Sequence, residues 1–484
     1  MASFQLDFKN DIKSVFKMVE MHKGSKERLE MLENASYYHK ENATIMALPD
    51  RTYWSDRILR NSAGEICYDD HNQPKRISGE VKNPFVSNNR IPYGIFADIV
   101  NQKVNTLLDE APMITGHEFE SKFKKQLGFA LKKAGIEASI CKKAFIFQAF
   151  DGKMIVFDSA NCIPFYDDTT GALRAFIRYW QIDSAFGGDH ITMVEMYEED
   201  GLTAFSKKNT SQPIVEKPKT AYSYKVRGSA VETQTEIMPL GRLPIVEFKN
   251  NDDNKSDLTS SLRAKIDAID LVQSGFVNNI EDFSDIFWVV KTANGAMDSD
   301  YYEDFIANIN KTKRIFAEQA TPEQFQIPHE ARSRLVEIFK QEIVEESGVI
   351  DTQSLTATAL TTVAIKASTM KLRQRVSDFE WQAHNATEEL VLLYQAYNGL
   401  QFDFEITFTE LLIDNDTELL DNMVKAQDLM SIDDKLAILK RVGLIADIEE
   451  TKKALEEESS YKLADEPIDT DFMFGGVGDA GQGA

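Results

Sequence analysis

The chain has 484 residues, 43% hydrophobic and 27% charged, the composition of a soluble globular protein too long for one ordinary core, so two or more domains or an extended architecture are expected. Its 78 acidic and 54 basic residues leave a net charge of −24, which excludes a generic grip on nucleic acid through a basic face, though not DNA passing nearby unheld. Cys67, Cys141 and Cys162 are odd in number and far apart, which argues against a disulfide framework. No signal pattern opens the chain and no apolar run approaches a membrane span, so a soluble intracellular protein without membrane contact is expected.

In chain order, residues 1–42 read as polar helix with one apolar stripe of Phe8, Ile12, Val15, Phe16 and Val19. Residues 61–89, with Gly64, Pro74, Gly79 and Pro84, read as a polar loop. An amphipathic helix follows, with Ile95, Phe96, Ile99, Val100, Val104, Leu107 and Leu108 on one face and Pro112 as its stop. A shorter helix over 120–134 turns Phe123, Leu127 and Leu131 inward. From 144 to 248 the apolar period falls to two, as in Phe145/Phe147, Ile155/Phe157 and Phe176/Arg178/Trp180. Turn signals at Asp151-Gly152, Thr170-Gly171, Gly187-Gly188 and Asp200-Gly201 separate these runs. The pattern predicts an antiparallel meander and an α+β N-terminal half, closed by a strand over 245–248 and a polar hinge over 250–254.

Helices dominate the next stretch. Leu258, Leu262, Ile266, Ile269, Phe276, Ile280 and Phe283 recur at three- and four-residue steps, with Ser256 as N-cap and Asp257 against the positive end of the dipole. Some twenty-five residues of helix span roughly 38 Å. A second stripe, Leu335, Ile338, Phe339, Ile343 and Val344, follows over 329–346, and a third helix reaches Asn398 over a length on the order of 60 Å. Such helices exceed what one compact domain needs and point to an elongated subunit of an assembly. Between the first two, residues 286–290 and 314–317 read as short strands around a turn at Asn294-Gly295 and a short helix over 300–309. Phe402, Phe404, Ile406 and Phe408 alternate as one more strand. Residues 414–484 hold 18 acids and seven bases, with short helices over 419–427, 432–442 and 447–457 and a glycine-rich tail over 475–484.

Motifs for chemistry are missing. No glycine-rich phosphate loop ends in Lys-Ser or Lys-Thr, and no dinucleotide fingerprint joins a strand to a helix. His329-Glu330 opens like a zinc helix but has Ser333 where the second histidine belongs. Asp69-Asp70-His71 lacks a fourth ligand, and Asp252, Asn254 and Ser256 lack the glycine and glutamate of a calcium loop. No catalytic residue, metal or cofactor is expected. The rival reading is an enzyme, for instance a metal-dependent nuclease using carboxylates such as Asp69, Asp70, Asp167 and Asp168.

Several ordered motifs carry a resemblance: Asn89 before Asp98-Ile99-Val100, the run from Leu107 to Pro112, Leu243-Pro244-Ile245-Val246-Glu247-Phe248-Lys249-Asn250-Asn251, Ser256-Asp257-Leu258 leading to Ile266-Asp267, Asp282-Phe283-Ser284-Asp285, and Ala359-Leu360 opening a very long helix. The set resembles the portal proteins of long-tailed bacteriophages of Gram-positive bacteria. The resemblance implies an α+β, portal-type ring subunit with an antiparallel-sheet wing, long stem helices, a small α/β clip and a helical crown. It places the wing at 1–255, stem helix 1 at 256–280, the clip at 281–328, stem helix 2 at 329–346, the tunnel loop at 347–358, a long helix and strand completing the wing at 359–413, and an acidic crown and tail at 414–484. It further implies a homo-oligomer, a dodecamer in the family, at the capsid vertex of a virion assembled in the host cytoplasm. Double-stranded DNA would pass through its channel, with a terminase motor, a head–tail adaptor and the major capsid and scaffolding proteins as partners. The loop residues nearest DNA would be Thr352, Gln353, Ser354, Thr356 and Thr358, a Thr-rich stretch where relatives are often glycine-rich. Channel-lining charge would come from Glu337, Lys340, Glu342, Glu345 and Glu346, whose carboxylates, repeated around a ring, would repel phosphates. Lys291, Lys311, Lys313 and Arg314 would be clip contacts for the motor or adaptor.

Overall fold

The structure is a computed structural model that describes residues 12–58, 66–69, 71, 73–82, 87–183, 190–208, 214–222, 224–229, 232–237, 240, 242–283, 287–290, 320–323, 329–350, 362–409, 423–426, 431–441, 444–445, 448 and 451–455. The chain forms two compact units, residues 1–354 with 369–411, and residues 355–368 with 412–484. The fold class is mixed, helices with antiparallel sheets, as the change of period in the sequence predicts.

Of the helix expected over 1–42, residues 1–11 with Phe8 lie outside the described residues, and the rest holds two helices, α1 (Ile12–Lys23) and α2 (Lys26–Tyr38). Gly24-Ser25 makes the break: Ser25 is extended and its hydroxyl accepts from the Arg28 N–H at 3.3 Å, an N-cap that starts a new helix. Asn42 caps a further turn, α3 (Ala43–Met46), by accepting from the Thr44 and Ile45 N–H groups. The loop expected over 61–89 contributes a strand, because β1 (Thr52–Ile58) pairs antiparallel with β2 (Arg76–Lys82). With Gly79 between Ile77 and Val81, its alternation is too weakly apolar to stand out.

Helix α4 (Ile95–Leu108) ends before Pro112 as expected and buries nearly its whole apolar face. Past β3 (Met113–Thr115), helix α5 runs Ser121–Cys141, seven residues beyond the expected end, because Ala138 and Ile140 continue the buried stripe. Then the sheets begin. β4 (Lys143–Gln148) and β5 (Met154–Phe157) form a hairpin turned at Gly152, whose φ of 77° suits glycine. Strands β6 (Cys162–Tyr166), β7 (Leu173–Asp183), β8 (His190–Glu198), β9 (Gly201–Lys208) and β10 (Val215–Glu216) make a five-stranded antiparallel meander in sequence order. β11 (Tyr224–Ser229) pairs with β12 (Glu232–Ile237), and β13 (Ile245–Lys249) adds to the free edge of β4.

Two cores follow from the two faces of the meander. On one face Ile177, Tyr179, Val194, Met196 and Phe205 receive Val15, Phe16 and Val19 from α1. On the other, Phe176 and Tyr197 meet Phe145, Phe157, Leu243 and Ile245 of the three-stranded sheet.

Helix α6 (Ser260–Phe283) leads to β14 (Phe287–Val290), which pairs with β15 (Ala320–Glu323). The strand expected over 314–317 and the helix over 300–309 lie outside the described residues. Helix α7 (His329–Ser347) returns beside α6, and α8 (Thr362–Asn398) leads to β16 (Glu405–Thr407), which pairs with β3. Gly135 permits the tight seam between α4, α5 and α8, since a Cβ there would stand 2.9 Å from both Leu108 Cδ1 and Phe379 Cζ. Of the helices expected beyond 414, α9 (Ile432–Arg441) forms and 451–455 is helical; the helix over 419–427 and the tail over 475–484 fall largely or wholly outside the described residues.

Candidate functional site

The residues that matter converge where α6 begins and α7 ends, because both ends are tied to α4 and α8 by polar side chains. Lys103 lies on the apolar face of α4 and is 2% exposed. Its ammonium is 2.6 Å from Asp257 Oδ2, donates to Asn250 Oδ1 at 2.6 Å, and sits 4.4 Å above the Phe379 ring. Asn250 in turn donates to Asp257 Oδ1 at 3.1 Å and to the Lys255 carbonyl at 2.9 Å. Arg375 of α8 places Nη2 3.2 Å from Asp257 Oδ1 while its Nη1 donates to the Ser347 carbonyl. Burial pushes the Lys103 ammonium down to about 8 even though Asp257 pulls it the other way. For Asp257 burial acts upward, but Lys103 and Arg375 prevail and hold the carboxyl below its ordinary range.

These contacts correct two expectations. Residues 250–254 are not a loose hinge at their start, since Asn250 is buried and bonded on both sides. Asp257, expected at the positive end of the helix dipole, is also the anion of a buried cluster. Ser256 does not cap α6. Its hydroxyl donates to the Ser139 carbonyl and accepts from Leu258 N–H, while Thr259 Oγ1 accepts from Leu262 N–H at 3.1 Å and is the cap. The physical reason is that a short polar side chain caps a turn or pins a loop equally well, and Ser256, Asp257 and Thr259 stand close together.

The same Thr259 hydroxyl donates to Glu346 Oε1 at 2.8 Å, and Ser261 and Lys265 each reach Glu346 Oε2 at 2.9 Å. Burial acts against this carboxylate, but the donors hold it below its ordinary value. Thr259→Ala removes a cap and an inter-helix donor together and should lower stability by about 1–2 kcal/mol, with Thr259→Ser restoring most of it, read by urea midpoint.

The other expected channel-side charges divide. Glu342 stands 3.5 Å from Lys265, and Lys340 lies 4.7 Å over the Tyr93 ring, so both have partners within the subunit. Glu337 and Glu345 are exposed. The loop candidates Thr352, Gln353, Ser354, Thr356 and Thr358 and the clip candidates Lys291, Lys311, Lys313 and Arg314 lie outside the described residues. What is described of the loop is its root, and it is pinned: Gln102 accepts from Ile350 N–H at 2.9 Å and donates to its carbonyl at 3.1 Å. Ser347, Val349 and Ile350 are buried, so the first residues of the expected 347–358 loop pack on the subunit.

Of the carboxylates proposed for a nuclease, Asp70 lies outside the described residues, and Asp69 and Asp167 have local duties. Asp69 accepts from the His71 and Gln73 N–H groups, and Asp167 accepts from Thr169, Thr170 and Arg174 around one turn. Among the described residues no group of three or more His, Cys, Asp or Glu is placed to hold a metal ion, and no helix is long and apolar enough to cross a membrane.

Residues 19–462 match the family described as "Phage portal protein, SPP1 Gp6-like". The chain belongs to that family. A portal protein of Clostridium phage phiCD119 is 25% identical over 464 residues, covering 90% of this chain and 94% of that protein. The portal protein of Bacillus phage SPP1 is 22% identical over 449 residues, covering 88% and 83%. Among solved structures, a chain from the neck of an empty gene transfer agent particle aligns over 74% of this chain and 90% of its own at 10% identity, with a TM-score of 0.38, too distant to bear on the fold. As a portal-family member the chain is a structural component of a phage capsid, and the buried cluster at Lys103 is architecture, joining the base of the α6–α7 hairpin to the helical layer beneath it.

Proposed function

We propose that this portal protein closes into a ring, a dodecamer, at one vertex of the capsid, as a conduit for double-stranded DNA during packaging and ejection. The observation that carries the reading is the family match over nearly the whole chain, together with the near full-length coverage of two phage portal proteins. In it, residues 1–255 and 359–413 are the wing, α6 and α7 the stem, 281–328 the clip that docks the terminase motor and the head–tail adaptor, and 414–484 the crown. The major capsid and scaffolding proteins are its neighbours during assembly in the host cytoplasm. The stem supports this reading in one respect. Near the α6 start, Leu262, Ile266 and Ile269 are buried against the subunit, whereas Ile280 on α6 and Leu335 and Ile338 on α7 remain 45%, 40% and 41% exposed. An apolar stripe left bare on a helix hairpin suits a neighbouring subunit, and a ring needs such heterologous contacts. Electron microscopy of the purified protein, with mass determination in solution, tests the proposal. Closed rings with a central hole are expected; fibres, or magnesium-dependent DNA cleavage by the same preparation, would overturn it.

A further inference from the structure

Two aromatic side chains stand out on the wing because each is 70% exposed on a long, well-packed helix: Phe129 on α5 and Trp381 on α8. Their surroundings are opposite in charge. Lys122, Lys125 and Lys133 lie within one helical turn or two of Phe129 on the exposed face of α5, and Lys125 and Lys133 have no ion-pair partner among the described residues. Around Trp381 the exposed face of α8 presents Asp378 and Glu388, likewise without ion-pair partners among the described residues.

The two faces are also turned apart. Opposite Phe129, α5 buries Leu127, Leu131 and Ala134; opposite Trp381, α8 buries Phe379, Ala383 and Ala386. The helices pack on each other through those buried sides, with the Phe123 and Tyr394 rings 4.5 Å apart and Phe379 against Gly135. Neither exposed face can therefore cover the other within one subunit. A basic patch and an acidic patch, each centred on a bare aromatic and directed away from one seam, meet the requirement of a head-to-tail contact, in which one patch binds a different patch on the next copy. Large aromatics ringed by charge are also the residue types that anchor protein interfaces.

We infer that the Phe129–lysine face of α5 docks on the Trp381–carboxylate face of α8 in a second copy of this chain. The inference rests on the ring reading above and adds which surfaces make the ring. Charge complementarity at such a rim also sets partner register, because like charges brought together repel.

The test uses two full-length variants, Lys125→Glu/Lys133→Glu and Asp378→Lys/Glu388→Lys. In either one alone both faces carry the same sign, and the yield of rings should fall by about tenfold or more. Mixed in equal amounts, each supplies the face the other needs, and rings of alternating subunits should return. A third variant, Phe129→Cys/Trp381→Cys, should form disulfide-linked ladders on oxidation, which neither single cysteine variant gives. If wild-type rings form and the charge variants assemble as well as wild type, or the mixture stays unassembled, the docking surface is wrong and the ring reading stands. If wild type never forms rings, both fall.

Discussion

Asp257→Ala should lower the unfolding free energy by about 3–5 kcal/mol, seen as a lower urea midpoint at neutral pH. The substitution leaves the ammonium of Lys103, 2% exposed, beside Arg375 with no anion between them. A buried ion pair contributes little net stability when both partners are exchanged for apolar residues, but removing one strands the other in a medium that cannot solvate it. Lys103→Met should therefore be milder, because Asp257 keeps Arg375 and Asn250. A loss under about 1 kcal/mol for Asp257→Ala would contradict the central place given to this carboxylate. The cluster also carries a pH signature. In the folded subunit Lys103 releases its proton near 8, against 10.5 as its ordinary value. Between those values the unfolded chain binds more protons, so this group's contribution to stability rises with pH. Wild type should gain on Lys103→Met as the pH is raised from 7 to 10, and a parallel pair of curves would remove the assignment.

Much of this fold is legible in the sequence where periodicity speaks alone. The stripe of α4, the first half of the α6 stripe and the alternation of β4, β5 and β7 each have a buried side that one dimension records. Polar residues are different. Lys103 interrupts an apolar face and reads as tolerated exposure, yet its partners Asn250 and Asp257 lie about 150 residues away in the chain, and Arg375, which shares Asp257 with it, lies farther still, all brought together only by packing. Ser256, Asp257 and Thr259 are all acceptable caps, and only the burial of Asp257 against Lys103 decides between them. The reverse holds for Glu342 and Glu346, whose spacing from Lys340 suggests a charged surface but whose oxygens face Lys265, Thr259 and Ser261. Charge shows in a sequence; the direction a charge faces does not.

Phe176→Ala should be as damaging as Asp257→Ala, about 3–5 kcal/mol, for a different reason. Its ring is fully buried with the rings of Phe145 and Phe157 at 4.7 and 5.9 Å and Tyr197 at 6.1 Å. Those neighbours sit on β4, β5 and β8, each held in register by its own ladder, so the wall cannot close over the void. The adjacent Ile177 points to the other face, into the cluster with Val15, Phe16 and Val19, and shares no partner with Phe176. Ile177→Ala should therefore add to Phe176→Ala with a coupling below about 0.5 kcal/mol despite their being neighbours in the chain. A coupling well above that would mean the five-stranded meander transmits strain between its faces, and the α1 cluster and the inter-sheet aromatic cluster would then be one core divided only by backbone. Near-additivity instead makes the meander a rigid partition between two separate cores.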